Sequence, residues 1–237
     1  MPPRRLHRPS IPRTPAVLAL SLVFLASAVP VAAKKDVVRV TLSVPVPERI
    51  DMTGVQRILV TRLVVDQEVR EFNLTKELVE VIRRDLRQKA RLDMIDVDPP
   101  PLPEQPLPQL LANTGFWRRM AEQHEADLII TGQTSFKVAD RSGYVQMDAI
   151  SPLTGQRVRR TQFVEREAFI LDLRLFFLRG STGELLDEDH FNGEDTYNGQ
   201  GTDELAGMFD LYEQMAEDIR GIVAPRWRSV QRSLFTE

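Results

Sequence analysis

Residues 168–178, AFILDLRLFFL, decide what kind of fold this chain can have. Phe169, Leu171, Leu173, Leu175 and Phe177 alternate with Asp172 and Arg174. Successive side chains on a strand point to opposite faces, so the alternation predicts a strand that buries one face. Upstream, ADLIITG at 126–132 reads as a buried strand opening a β-rich half. Further strand-like segments lie at 144–150, 157–164 and 184–191. Ser181-Thr182-Gly183 closes the hairpin after the 168–178 strand, and Pro152-Leu153-Thr154-Gly155 closes an earlier one.

The N-terminal half reads differently. Segments 37–46 (VVRVTLSVPV) and 56–65 (QRILVTRLVV) are rich in β-branched residues and predict strands, the second central and mostly buried. Asn73 suits a helix N-cap, and Leu74, Leu78, Val81, Ile82 and Leu86 recur at helical spacing over 74–90. Arg83, Arg84, Asp85 and Arg87 are placed on the opposite, polar face. A short strand follows at 91–97. Residues 99–108, PPPLPEQPLP, are excluded from helix and central strand because proline lacks the N–H donor, which leaves an extended connector. A helix at 115–125 turns Phe116, Trp117, Met120 and Ala121 inward. After the loop 198–201, Thr202 is placed as cap of a last helix with Leu205, Phe209, Tyr212, Ala216, Ile219 and Val223 on one face. Pro225 ends it. The order of elements predicts an α/β fold, a mixed β-sheet packed with helices, over residues 54–224. Residues 34–53 form an N-terminal strand or extension, and 225–237 a basic amphipathic tail.

The first 33 residues read as a secretory signal peptide cleaved after Ala33: four arginines and no acid, an apolar run at 16–29, then small residues. The chain counts 31 Lys and Arg against 34 Asp and Glu. With four of the arginines before Lys34, the remainder is net −7, which argues against general nucleic-acid binding. There is no cysteine, which excludes a thiol nucleophile, thiolate metal sites and acylation of an N-terminal cysteine.

Chemistry has few candidates. Asp187, Glu188, Asp189 and His190, with Glu194 and Asp195, form the densest polar group. On a strand, Asp187 and Asp189 point one way and Glu188 and His190 the other, and the spacing matches no calcium loop. His124 reads as an exposed helix residue. No serine sits in a Gly-x-Ser-x-Gly turn, and the loop Gly199-Gln200-Gly201-Thr202 lacks the lysine of a phosphate loop. Neither a metal, a cofactor nor a catalytic residue is assigned. The tail is the candidate contact surface: Arg226, Trp227, Arg228, Val230, Arg232 and Leu234 suit a partner protein or an anionic membrane surface.

Three phrases carry a family resemblance: Ile58-Leu59-Val60 ahead of a helix ending at Met94-Ile95-Asp96-Val97; the strand at 126–132; and the hairpin from Leu173-Arg174-Leu175 to Ser181-Thr182-Gly183-Glu184-Leu185-Leu186. Together they resemble the CsgG family of curli-secretion proteins and, more loosely, the N-terminal domain of TolB. The resemblance covers roughly residues 54–224 and implies an α/β sandwich at the inner face of the outer membrane. Two features depart from the CsgG pattern. No cysteine is present for lipidation, and the segment matching a membrane-inserting hairpin, 144–163, carries Asp148, Arg157, Arg159 and Arg160, which are costly against lipid. The expectation is therefore an exported, non-enzymatic envelope accessory protein acting through protein–protein contacts, with no nucleic acid and at most peripheral membrane contact. The alternatives are a periplasmic metal-dependent enzyme using the strand 187–195, or an oligomeric secretion-associated component.

Overall fold

The computed structural model describes residues 37–67, 69–199, 201 and 203–235; the leader reading of residues 1–33 lies outside them. Thr41–Arg232 form the main unit, and the strand ends beyond them belong to a second. In chain order the elements are β1 (Val37–Val46), β2 (Arg57–Val60), β3 (Val64–Val65), α1 (Leu74–Lys89), β4 (Asp93–Met94), α2 (Leu107–Ala112), α3 (Thr114–His124), β5 (Leu128–Asp140), β6 (Gly143–Ile150), β7 (Arg157–Val164), β8 (Arg166–Arg179), β9 (Leu185–Asn198), α4 (Glu204–Val223) and β10 (Arg226–Phe235).

The main sheet runs β4-β2-β5-β8-β9, with β3 beside β5 beyond the end of β2. β2 is parallel to both β4 and β5, whereas β5, β8 and β9 are antiparallel, so the sheet is mixed as expected. Leu171, Leu173, Leu175 and Phe177 of β8 face one core with Leu78, Ile82 and Leu86 of α1 and Leu211, Tyr212 and Ile219 of α4. Leu59, Ile129, Phe176 and Leu178 face a second core under Leu110 of α2 and Trp117 and Met120 of α3. The alternation read from 168–178 is thus real, and both faces are covered at this end of the sheet.

Local chemistry explains the element ends. Asn73 caps α1 by accepting from the Lys76 N–H at 3.0 Å. Gly183 closes the β8–β9 turn at φ 74°, and a Cβ there would stand 2.1 Å from the Thr114 carbonyl oxygen, so glycine alone fits.

Four expectations are corrected. The 56–65 strand divides into β2 and β3 because Arg62 leaves the sheet line to donate its N–H to the Pro100 carbonyl at 3.0 Å. Only Asp93–Met94 of 91–97 is strand. The proline-rich connector yields to helix at Leu107, with Pro106 as cap and Pro108 in the first turn, where a missing N–H costs nothing. Asp203 caps α4, its carboxylate accepting from the Leu205 and Ala206 N–H groups, while Thr202, the cap expected from sequence, lies outside the described residues.

The polar face assigned to α1 is also revised. Arg83 and Asp85 are buried, each paired across the core. Arg83 donates to the carbonyls of Val97 at 2.7 Å and Val60 at 3.0 Å, and burial lowers its pKa.

Candidate functional site

The tail predicted at 225–237 is a strand for most of its length, β10, paired with β1 in a ribbon separate from the main sheet. This changes what its residues do together. At a period of two, Arg226, Arg228, Val230, Arg232 and Leu234 fall on one face and Trp227 on the other. Arg226 is turned back to Asp218 of α4 and packs its stem over Gly221. Trp227 is 67 % exposed, and Arg228 and Arg232 are exposed as well. Val230 is half-buried, and the side chain of Leu234 lies outside the described residues. On the paired strand, Leu42 and Val44 are exposed too.

A second ribbon has the same character. The β5–β8 hairpin does not stop at Asp140: after a corner at Arg141 and Ser142 it continues as β6–β7. At the corner Arg141 donates its N–H to the Arg166 carbonyl at 2.9 Å, and the Arg166 N–H reaches the Ser142 hydroxyl at 3.1 Å. Eight residues a side make this arm about 25 Å long. Tyr144 and Phe163 stack edge-on near its base with ring centroids 5.2 Å apart. Ile150 and Leu153 stand exposed at its tip, beside the exposed Arg157, Arg159 and Arg160. Among the described residues, most of the large apolar side chains left exposed belong to these two ribbons. Contiguous exposed apolar surface on a folded protein marks contact with something else.

The acidic strand is arranged otherwise. β9 points Asp187 and Asp189 to one face and Glu188 and His190 to the other, as the alternation requires. Arg49 takes both members of the first pair, donating to Asp187 at 2.9 Å and also to Asp189. His190 meets Asp172 at 2.8 Å, and Arg174 donates to Glu188 at 2.7 Å, so polar pairs tie β8 to β9 across this face. Among the described residues there is no group of three or more His, Asp or Glu able to hold a metal ion. His124 closes α3 in its last turn.

Sequence reasoning missed Arg49, because its partners lie far along the chain. It also missed the apolar arm, although Leu153 in a turn was a visible signal.

The architecture is a mixed α/β fold with helices on both sheet faces. No family model matches the chain, and no curated protein matches it. Among solved structures, it is similar to the PelC dodecamer from Paraburkholderia phytofirmans, at 10% identity over 78% of this chain and 99% of that one, TM-score 0.40. It is similar also to the LpoB C-terminal domain from Salmonella enterica, at 13% identity over 62% and 89%, TM-score 0.34. A third is Lipoprotein GNA1162 from Neisseria meningitidis, at 12% identity over 68% and 97%, TM-score 0.33. All three are bacterial, none is a CsgG or TolB chain, and the likeness is one of fold alone. Among the described residues no helix is long and apolar enough to cross a membrane.

Proposed function

We propose that this chain is an exported, non-enzymatic accessory protein of a bacterial cell envelope that binds a protein partner through the β1–β10 ribbon. The observation that carries the reading is the exposure of Trp227 at 67 %, flanked along the chain by Arg226 and Arg228, with Leu42 and Val44 also exposed on the paired strand. Trp and Arg are the residue types that dominate binding energy at protein interfaces, because each offers a large contact area with polar reach. The N-terminal leader reading supplies the compartment, and the absence of cysteine is compatible with it.

The test is a crosslinked pull-down from envelope extracts with the intact chain and with the variant Trp227→Ala/Arg228→Glu. The reading expects one partner recovered with the intact chain and lost with the variant. Equal recovery by both would refute the ribbon as the contact surface, and recovery of the chain with its leader in the cytosol would refute the compartment.

A further inference from the structure

β2 is the strand at which the chain reverses direction across the sheet. From β2 the chain crosses through α1 to β4 on one side, then returns through α2 and α3 to β5 on the other. The two crossovers lie on opposite faces, since α1 shares a core with Ile58 and Val60 while α3 shares the other with Leu59 and Ile129. In open α/β sheets such a reversal leaves a crevice beyond the C-terminal ends of the strands, where the connections part. One is present here. A crevice of about 840 Å³ is lined by residues that follow β2 and β4, together with the first turn of α1. That is within the size range of ligand sites.

Its walls define what fits. The Asp66 N–H donates to the Thr134 carbonyl at 3.1 Å, and Val64 and Val65 pair in parallel with Gln133 and Thr134. Val64 and Asp66 therefore turn their backbone groups to β5, and Val65 between them turns its N–H and C=O away from it, along the crevice side. The connector from β4 runs beside β2 only as far as Pro100, which accepts from Arg62, so the sheet edge at Val65 is left without a neighbouring strand among the described residues. Leu63, Phe72 and Leu74 give the floor, with Phe72 fixed edge-on to Phe136 at 5.8 Å between ring centroids. The rim carries both signs of charge, Arg62 and Lys76 against Glu80 and Asp98.

We infer that this crevice binds an extended peptide segment that adds to the sheet beside Val65, with an apolar middle over Phe72 and charged flanks of both signs. An open strand edge supplies main-chain hydrogen bonds to any extended peptide, and the alternate side chains select which one. A rim of mixed charge suits a peptide better than a lipid tail or a simple anion. The site is independent of the β1–β10 ribbon and stands or falls separately from it.

The experiment selects random-sequence peptides displayed on phage against the immobilised full chain, then measures binding of the recovered peptides in synthetic form. Three variants decide. V65P removes the outward N–H while leaving the bonds made by Val64 and Asp66, and edge positions tolerate proline. The pair R62E/K76E reverses the rim cations, and glutamate in the first turn of α1 suits the helix dipole. W227A is the control at the ribbon. Expected are peptides with an apolar centre whose affinity falls about tenfold or more in V65P and in R62E/K76E, and is unchanged in W227A. If V65P does not fold, R62E/K76E alone decides. Absence of enrichment over the bare support, or unchanged affinity in R62E/K76E, overturns the inference.

Discussion

Arg220 holds Asp85 across the contact between α4 and α1, its Nη1 donating to both carboxylate oxygens at 2.8 Å. Asp85 is almost wholly buried, and Tyr212 and Lys89 also face it, at 3.5 and 3.3 Å. A carboxylate in that position is stable only while its cations remain. It ties the two helices that cover one face of the sheet.

Asp85→Ala is expected to cost about 3 kcal/mol, because it leaves the largely buried Arg220 guanidinium without its partner. Denaturant unfolding of the variant against the intact chain measures it.

The same cluster sets an alkaline limit. Burial, followed by the charge of Asp85, raises the pKa of Tyr212 above its ordinary value. Below about pH 10 the phenol is protonated in both folded and unfolded chains, so it adds no pH dependence. Above that the unfolded chain loses the proton first, and stability falls as pH rises. Tyr212→Phe is expected to lose less stability than the intact chain between about pH 9 and about pH 11. Thermal unfolding across that range checks it.

Gly207 lies inside α4, where alanine would be favoured by about 1 kcal/mol on helix propensity. Its Cβ would stand 2.0 Å from the ring of Phe169, which is fully buried and cannot yield. Overpacking costs up to about 3 kcal/mol, so packing wins. Gly207→Ala is expected to lower the melting temperature, and a rise would show that Phe169 has room to move.

Arg49 fills the place a cation would take between Asp187 and Asp189. The intact chain is expected to show no change in melting temperature with calcium, magnesium or manganese. Arg49→Ala, which leaves two like charges on one strand face, is expected to lose about 1 kcal/mol, this being a half-exposed pair. A cation-dependent rise in the intact chain would restore the acidic strand as a metal site.

Much of the fold was legible because its signals are local. β1 and β7 coincide with the segments 37–46 and 157–164, and α1 begins at the cap Asn73, as read. Arg83 and Asp85 were misplaced because their burial depends on partners in the 97 loop and α4, which no helical periodicity reveals. The tail reads in sequence as a basic amphipathic segment, and the structure makes it strand β10, which parts Trp227 from Val230. The spacing Arg226, Arg228, Val230, Arg232, Leu234 is the period of a strand and was open to that reading. Its partner, β1, lies at the other end of the chain, and pairing over that distance leaves no local trace.

The central claim, a partner held by the β1–β10 ribbon, is tested most directly by a photocrosslinking residue placed at position 227 in cells, with one at position 194 on β9 as reference. The expected result is a single protein adduct at 227, absent at 194. No adduct at 227, or the same adducts at both positions, would contradict it.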